Sequence, residues 1–314
     1  MNKNFVIISD SGCDLNKELR DRFGIADYVP GRVVWPDGTD SPADLDWGEV
    51  SSEEYFTLMS DKKKVFSSGT PSIPNTMDVF EKYLSQGQDV LAIVLSTGIS
   101  STYGVFVNAQ RELQEKYPDR KIIVVDSLRY STSLALLCVF AAGLRNMGKS
   151  IEEVAQWVED NKECIHQIGW MDDLFFCKRM GRVSNLAAVM GTLVGIKAMA
   201  DFNEYGKSHV IGKTRGYNNA YTACVEYMKA TIINPESQII FIAQTLREKE
   251  AEELRKRIQE ELNPKEIIMT TVGQSCGVGI GPGLVAAFYF GRKCTKGLEK
   301  EQEILAKIIK TKCK

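Results

Sequence analysis

The chain has 314 residues, of which 44% are hydrophobic and 25% are charged, and its formal net charge is −2. This composition excludes a disordered or fibrous protein, and the balanced charge gives no general attraction to nucleic acid or to an anionic membrane surface. The length is sufficient for two domains, because single hydrophobic cores stop growing at about 250 to 300 residues.

The amino-terminal stretch and the cysteines indicate a cytoplasmic protein. MNKNFVIISDSGCDL contains a short apolar run that predicts a strand, without the apolar region and cleavage site of a signal peptide. No segment reaches the roughly 18 uncharged apolar residues needed to span a bilayer. The eight cysteines include no C-x-x-C pair, and only His166 and His209 are present to join them, so no zinc site is predicted.

Short apolar runs alternate with helical patterns over the first half of the chain. FVIIS, DVLAIVLS and KIIVVD predict strands, and helices are predicted near residues 15–23, 102–117 and 132–146. Ser150 and Glu153 form the spacing of a capping box, which opens a further helix. This alternation predicts βαβ units and a largely parallel sheet buried on both faces. The stretch from Trp35 to Ser52 is predicted to be a long polar loop.

After about residue 163 the pattern changes to strand-like runs with helices between some of them. The sequence therefore predicts an α/β protein of two domains, an N-terminal parallel-sheet α/β domain over residues 1–160 and a C-terminal α+β domain with a mixed or antiparallel sheet over residues 161–314. The predicted strands are HQIGWMDDLFF, GIKAMADF, HVIGKT, QIIFIAQT and EIIMTTV, and the predicted helices lie near residues 185–193, 217–229 and 248–262, with a charged helix at the C-terminus.

Two turns rich in neutral hydroxyl groups each precede a predicted helix. FSSGTPSIPNT contains Ser68, and the turn after DVLAIVLS contains Ser96, Thr97 and Ser100. Helix N-termini at the carboxyl ends of parallel strands favour anionic groups, so the two turns could converge on one anion. Neither turn carries a basic residue and the chain lacks a P-loop motif, which favours a carboxylate over a phosphate. Helix capping alone is the alternative.

Two further chemistries are open at these motifs. The sequence GISST around Ser100 is one residue short of a nucleophile elbow, and a serine hydrolase would need His166 or His209 as its base. The glycine-rich segment VGQSCGVGIGPG, which contains Gly279, is superficially similar to a dinucleotide-binding turn. Because no βαβ unit follows it, the segment favours close backbone approach to a ligand or a neighbouring domain.

Eight short motifs occur in order along the chain: VIISDSGCDL, SGTPS, STGISSTY, VVDS, MGRVS, GIKAM, KTRG and GPG. As an ordered set, they resemble the DegV family of fatty-acid-binding proteins, the binding subunits of the bacterial fatty-acid kinase system. The resemblance extends to about Gly291. No single motif is specific, but their order and spacing are family-like.

The resemblance implies a protein that buries one long-chain fatty acid between two domains and presents its carboxylate to a separate kinase for acyl-phosphate formation. Ser68 and Ser100 match the residues that hold the carboxylate in the first domain, and the second domain completes the acyl-chain pocket. Arg182 and Arg215 match family arginines associated with the acyl phosphate and the kinase partner. The resemblance implies no cofactor and no catalysis by this chain alone, and it is compatible with transient membrane contact for lipid exchange. A carrier or sensor of another apolar carboxylate, without a kinase partner, is the alternative.

Three departures from the family pattern are visible in the sequence. Ser68 replaces the usual threonine, which keeps the hydroxyl group and removes a methyl group. Gly279 stands where many members have histidine, so any head-group contact from that imidazole is absent. The charged helix after Gly291 is an extension.

Overall fold

The structure is a computed structural model that describes residues 5–188 and 195–313. These residues form two compact units, and each unit is assembled from several segments of the chain. The first unit takes its described residues from Met1–Ser51, Lys63–Lys162 and Gly273–Val278, and the second takes them from Ser52–Lys62, Glu163–Val272 and Gly279–Lys314.

The strands of the described residues form three sheets. In chain order they are β1 Phe5–Asp10, β2 Asp27–Val29, β3 Arg32–Val34, β4 Asp40–Pro42, β5 Ser67–Gly69, β6 Asp89–Val94, β7 Ile122–Asp126, β8 Ile165–Met171, β9 Val183–Ser184, β10 Ile196–Phe202, β11 Ser208–Arg215, β12 Ile239–Gln244, β13 Glu266–Thr271 and β14 Leu284–Phe290.

The helices vary in length from one and a half to four turns. In chain order they are α1 Lys17–Phe23, α2 Ser52–Ser60, α3 Ile73–Leu84, α4 Thr102–Lys116, α5 Thr132–Asn146, α6 Ile151–Asn161, α7 Phe175–Met180, α8 Tyr217–Thr231, α9 Glu248–Leu262, α10 Gln274–Ile280 and α11 Glu299–Lys312. No helix within residues 5–188 and 195–313 is both long enough and apolar enough to cross a membrane.

The first unit is built on a four-stranded sheet with the order β2-β1-β6-β7, in which every pairing is parallel. Its two central strands are almost entirely buried. Phe80 of α3 and Phe106 of α4 pack edge to face, 5.7 Å apart, over one side of this sheet. The apolar helix α5 also packs against β1 and β6. The predicted parallel-sheet α/β fold is confirmed for this unit. A small antiparallel sheet with the order β4-β3-β5 completes it.

The second unit is built on a seven-stranded mixed sheet with the order β13-β12-β14-β8-β10-β11-β9. The two edge pairings are parallel, and those between them are antiparallel. Helices α8, α9 and α11 contribute apolar side chains to one large core with the sheet, in which Trp170 is 1% exposed. This arrangement confirms the prediction of an α+β unit with a mixed or antiparallel sheet.

Several helix ends agree with local sequence signals. Helix α5 has the predicted bounds, and the capping box of α6 is present: Glu153 N donates to Ser150 Oγ at 3.2 Å, and Ser150 N donates to Glu153 Oε2 at 2.8 Å. At the start of α3, Asn75 N donates to the Ser72 hydroxyl at 3.2 Å. The hydroxyl-rich turn before α3 therefore provides the N-cap that its sequence indicates.

Other elements differ from the predictions. The run HQIGWMDDLFF is not one strand, because β8 ends at Met171 and Asp173 accepts a hydrogen bond from Phe175 N at 2.9 Å where α7 begins. The glycine-rich segment forms helix α10, which the sequence patterns did not predict. The predicted helix near residues 185–193 falls mostly outside the described residues, and Leu186–Ala188 forms a single 3₁₀ turn.

Candidate functional site

The ends of β1 and β6 are joined by the buried carboxylate of Asp10. Its Oδ1 accepts a hydrogen bond from Gly12 N and its Oδ2 accepts one from Leu95 N, both at 2.7 Å. Burial raises the pKa of Asp10 to about 6, although these backbone N–H groups act to lower it. Asp10 therefore positions the start of the hydroxyl-rich turn that follows Leu95.

Within that turn, Ser96 and Thr97 hydrogen-bond to the protein itself. Ser96 is fully buried, and its Oγ accepts a hydrogen bond from Gly98 N at 3.0 Å. Thr97 Oγ1 donates to Asp126 Oδ2 at 2.5 Å, and Thr97 N donates to Asp126 Oδ1 at 3.2 Å. These bonds shape the turn and connect it to the end of β7. That Ser96 and Thr97 bind a ligand stays a prediction.

Ser100 lies just before α4 and is half-buried. Its Oγ accepts a hydrogen bond from Thr102 N at 3.2 Å and lies 2.9 Å from Thr102 Oγ1. A hydroxyl group has one donor and two acceptor positions. When Thr102 Oγ1 donates to Ser100, both acceptor positions of Ser100 are filled and its O–H is directed elsewhere. The N-cap residue of α4, Ser101, makes no side-chain hydrogen bond to the helix. The Ser100 hydroxyl and the positive end of this 15-residue helix therefore occur together.

Ser68 lies on the short strand β5, where it is exposed and opposite Val33 of β3. Ser68 and Ser100 thus belong to the same unit but are positioned by different sheets. The pairing of β5 with β3 fixes the backbone of Ser68 just before the N-cap of α3.

The remaining predicted residues belong to the second unit. A Cβ atom on Gly279 would lie 3.7 Å from Met180 Cγ, so the space beside Gly279 is bordered by an apolar side chain. Arg182 is exposed after the end of α7 and donates a hydrogen bond to the Met180 carbonyl oxygen. Arg215 is exposed at the end of β11, where Asn219 Nδ2 donates to its carbonyl oxygen at 3.0 Å.

Asp14 is hydrogen-bonded to the glycine-rich segment, a connection that the local motifs do not predict. Asp14 Oδ1 accepts a hydrogen bond from Gly273 N at 2.8 Å, 259 residues away, and Oδ2 accepts bonds from the hydroxyls of Ser131 and Thr132. Burial raises the pKa of Asp14 to about 6, and these hydrogen bonds act to lower it. The sequence signal was the Asp-Leu of the opening motif, but spacing alone does not reveal its partner.

The two histidines have partners that do not suit a serine hydrolase. His166 Nδ1 lies 2.5 Å from Asp201 Oδ2, and Nε2 lies 2.6 Å from the carbonyl oxygen of Arg292. Because a carbonyl only accepts hydrogen bonds, Nε2 carries a proton and cannot act as a base. His209 lies on β11 and contacts a serine of β9, and burial lowers its pKa. These contacts favour ligand binding over hydrolysis at Ser100.

The sequence profile described as "Uncharacterised protein, DegV family" matches residues 4–292 of the chain. The chain belongs to the DegV family. A DegV domain-containing protein of Clostridium perfringens is 32% identical over 289 residues, which cover 92% of this chain and 98% of that protein. The resemblance stated from the motifs is therefore confirmed.

Solved DegV structures share the fold of this chain. A DegV family protein from Thermus thermophilus, described as fatty acid binding, aligns with a TM-score of 0.82 at 23% identity. The alignment covers 92% of this chain and 99% of that one. The fatty acid kinase (Fak) B3 protein of Streptococcus pneumoniae, loaded with linoleic acid, aligns with a TM-score of 0.76 at 21% identity, over 91% and 99%. DegV structural neighbours thus bind fatty acids, and one of them is a fatty acid kinase B component. At these sequence identities, the two alignments show that this DegV-family chain shares the fold of those proteins.

The DegV profile ends before α11, which agrees with the prediction that the terminal helix is an extension. This helix packs against α8 and β11 of the second unit. Leu305 borders Gly212 of β11, where an added Cβ atom would lie 2.7 Å from Leu305 Cδ2. The extension is thus integrated into the core of its unit.

Proposed function

We propose that this protein binds one long-chain fatty acid and presents its carboxylate to a separate kinase, which forms the acyl phosphate. The observation that carries the proposal is the Ser100 turn at the start of α4, where Ser100 Oγ accepts a hydrogen bond from Thr102 N and lies 2.9 Å from Thr102 Oγ1. When Thr102 Oγ1 donates to Ser100, the Ser100 O–H is left to donate to a ligand. Ser68 supplies a second hydroxyl, which is exposed, on the same unit. The fatty acids bound by DegV neighbours support a ligand of this class.

Neutral donors suit a carboxylate that must stay reactive. An arginine paired with both oxygens would mask the atom that attacks the phosphoryl donor, whereas two hydroxyls and a helix N-terminus orient the group and leave a lone pair accessible. Burial of an acyl tail is worth roughly 0.8 kcal/mol per methylene, so about fifteen methylenes give on the order of 12 kcal/mol before the costs of association. The head group then needs orientation more than affinity.

The kinase-facing part of the proposal rests on Arg182 and Arg215. Both side chains are exposed, one after α7 and one at the end of β11, where cations can meet an anionic phosphoryl group or an acidic protein surface. We place the protein in the cytoplasm, where a nucleotide-dependent kinase has its phosphoryl donor. In this scheme the chain is a binding subunit that acts with a kinase, and it exchanges lipid by transient membrane contact.

The first experiment is native mass spectrometry of the purified protein, with extraction and identification of any bound lipid. It is followed by measurement of fatty acid affinity for Ser100→Ala and, as a matched control, Ser101→Ala, whose side chain makes no cap hydrogen bond. We expect the first variant to weaken binding about 5- to 150-fold, the usual consequence of about 1 to 3 kcal/mol for a lost buried partner. The control should stay within twofold. Equal dissociation constants for wild type and Ser100→Ala would remove Ser100 from the site.

The kinase part is tested separately with Arg215→Ala in a reconstituted reaction that contains ATP and a candidate kinase. We expect fatty acid affinity close to wild type together with a large loss of acyl-phosphate formation. Equal losses in both assays would place Arg215 at the lipid. Tight fatty acid binding by the wild type without acyl phosphate in any kinase-containing fraction would favour the carrier or sensor alternative.

A further inference from the structure

Helix α7 carries an arginine whose terminal nitrogens are buried without a hydrogen-bond acceptor. Both Nη1 and Nη2 of Arg179 are inaccessible to solvent, and neither has a partner among the described residues. Buried guanidinium groups normally pair with carboxylates or carbonyl oxygens, because an unpaired buried donor lowers stability. A guanidinium left in this state therefore calls for an acceptor that residues 5–188 and 195–313 do not supply.

Two aromatic rings hold the Arg179 guanidinium in place. Its Cζ lies 5.7 Å from the ring centroid of Phe175 and 5.3 Å from that of Phe176, and the two rings are packed edge to face. Phe176 is itself fixed, because the backbone of Gly281 lies directly against its ring. These cation–π contacts involve the guanidinium charge and provide no oxygen acceptor for its N–H groups, which remain a two-pronged donor.

The two acidic residues that precede α7 are already engaged by other cations. Asp173 forms an ion pair with Lys62. Asp172 forms ion pairs with Lys197 and with Arg247, the latter at 2.6 Å. Neither carboxylate is thus available as the counter-charge of Arg179.

The chain immediately around Arg179 has an excess of positive charge. Lys178, Arg179 and Arg182 occur within five residues, and no acidic residue occurs among them. A group with two or more anionic oxygens compensates such a cluster better than a single carboxylate does. The cluster therefore favours a phosphoryl group as the missing acceptor.

We propose that Arg179 binds a phosphoryl oxyanion through paired N–H···O bonds from Nη1 and Nη2. Two sources share this chemistry, namely free phosphate and the phosphoryl head of an acyl phosphate. The second source rests on the function proposed above. Arg179 is then a ligand-binding residue of the second unit, distinct from Arg182 and Arg215.

The test measures binding of three probes, inorganic phosphate, hexadecylphosphonate and palmitate, to the full chain. Arg179→Met should lower phosphonate affinity about 10- to 100-fold and leave palmitate affinity within twofold. Arg179→Lys should lose part of the phosphonate affinity, because it keeps the charge but not the two-pronged donor. The matched control is Arg257→Met: Arg257 also stacks on an aromatic ring, Tyr221, but is paired with Glu253 at 2.8 Å.

The outcomes of this test distinguish a general phosphoryl site, an acyl-phosphate site and the absence of a site at Arg179. Loss of affinity for both phosphate and hexadecylphosphonate supports a general phosphoryl site, and loss for hexadecylphosphonate alone supports an acyl-phosphate site. Unchanged affinity for both probes in Arg179→Met overturns the proposal. Failure of the wild type to bind palmitate would refute the proposed fatty acid function, while the phosphate measurements would still test Arg179.

Thermal unfolding without ligand gives an independent readout. Arg179→Met is expected to raise Tm by about 2 to 4 °C, because it removes a buried unpaired cation, whereas Arg257→Met should leave Tm unchanged or lower it. A fall in Tm for Arg179→Met larger than that of the control would mean that Arg179 serves packing, and the proposal would fail.

Discussion

Replacement of Asp201 by asparagine is expected to destabilise the second unit strongly. The fully buried carboxylate of Asp201 accepts hydrogen bonds from His166 Nδ1 at 2.5 Å, Tyr227 Oη at 2.8 Å, Gln167 N at 3.0 Å and Phe202 N at 2.8 Å. An asparagine keeps one of the two oxygens and places an amide NH₂ group where the other was. That group cannot accept a bond from Tyr227, and it leaves the charged ring of His166 without its counter-charge.

The effect should depend on pH, because the protonation of His166 depends on Asp201. Burial disfavours the charged ring, but the charge and hydrogen bond of Asp201, assisted by Cys294, raise the pKa of His166 well above its ordinary 6.5. A histidine whose pKa is higher in the folded state contributes stability that is fully present below about pH 6.5 and is lost as the pH rises through the folded value. Asp201→Asn should remove this contribution, so the variant should lose less stability than wild type between pH 6.5 and alkaline pH.

The magnitude follows from the burial of the pair. Removal of one partner of a buried ion pair lowers the free energy of unfolding by about 3 to 5 kcal/mol. The control Asp173→Asn removes a partly exposed ion pair with Lys62 and should lower the free energy of unfolding by about 1 kcal/mol or less.

Hydrogen exchange of the amides in β8 and β10 is the suitable assay, because the two units need not unfold together. Exchange through global unfolding should accelerate roughly 10²- to 10⁴-fold in Asp201→Asn. Equal acceleration in both variants, or a pH dependence like that of wild type, would refute an ionised buried pair.

Two other substitutions test local features of the fold. Ser150→Ala removes both bonds of the capping box of α6 and should lower the free energy of unfolding by about 1 kcal/mol in urea titrations; a change below about 0.3 kcal/mol would contradict the role of the box. Gly281→Ala should cost about 2 to 5 kcal/mol, because Gly281 has a φ of +72° and its new Cβ would lie 2.1 Å from the ring of Phe176. The control Gly297→Ala has a φ of +66° but only a distant neighbour at 3.9 Å, so equal losses for the two alanines would show that the ring contact contributes nothing.

Sequence patterns predicted those parts of the fold that short-range signals determine. The bounds of α5 follow from a continuous apolar helix, and the start of α6 follows from Ser150 and Glu153, which are three residues apart. The buried runs of β1 and β6 likewise indicated a parallel sheet covered on both faces. In each case the deciding interactions join residues that are close in sequence or repeat along one element.

The errors occurred where distant residues determine the structure. The glycine-rich segment became helix α10, whose entry is held by a hydrogen bond from Gly273 N to Asp14, 259 residues earlier. Glycine disfavours helices, so local propensity did not indicate one. Part of this helix belongs to the first unit, and Ser52–Lys62, which contains α2, belongs to the second. Nothing in the composition of either segment indicates to which unit it belongs.

The candidate site shows the same division between local and distant information. Ser100 could be selected from the sequence, because a hydroxyl after a buried strand and before a helix is a local pattern. The hydrogen bonds that Thr102 makes to Ser100 required coordinates. So did the missing acceptor of Arg179, because a sequence shows which donors exist but not which of them remain unpaired.

Three buried polar groups, those of Asp10, Asp14 and Arg179, are held at the expense of stability, which connects the site with the fold. The carboxyl groups of Asp10 and Asp14 have pKa values raised to about 6, so their contribution to stability is fully present below about pH 3.8 and is lost as the pH rises through 6. At neutral pH these two groups, like the unpaired Arg179, make the folded chain less stable than apolar replacements would. Asp10 positions the hydroxyl-rich turn, Asp14 anchors the glycine-rich segment, and Arg179 presents two donors. Buried polar groups thus lower the stability of the fold where the proposed chemistry needs an oriented polar group. Natural sequences are expected to sacrifice stability at such functional positions.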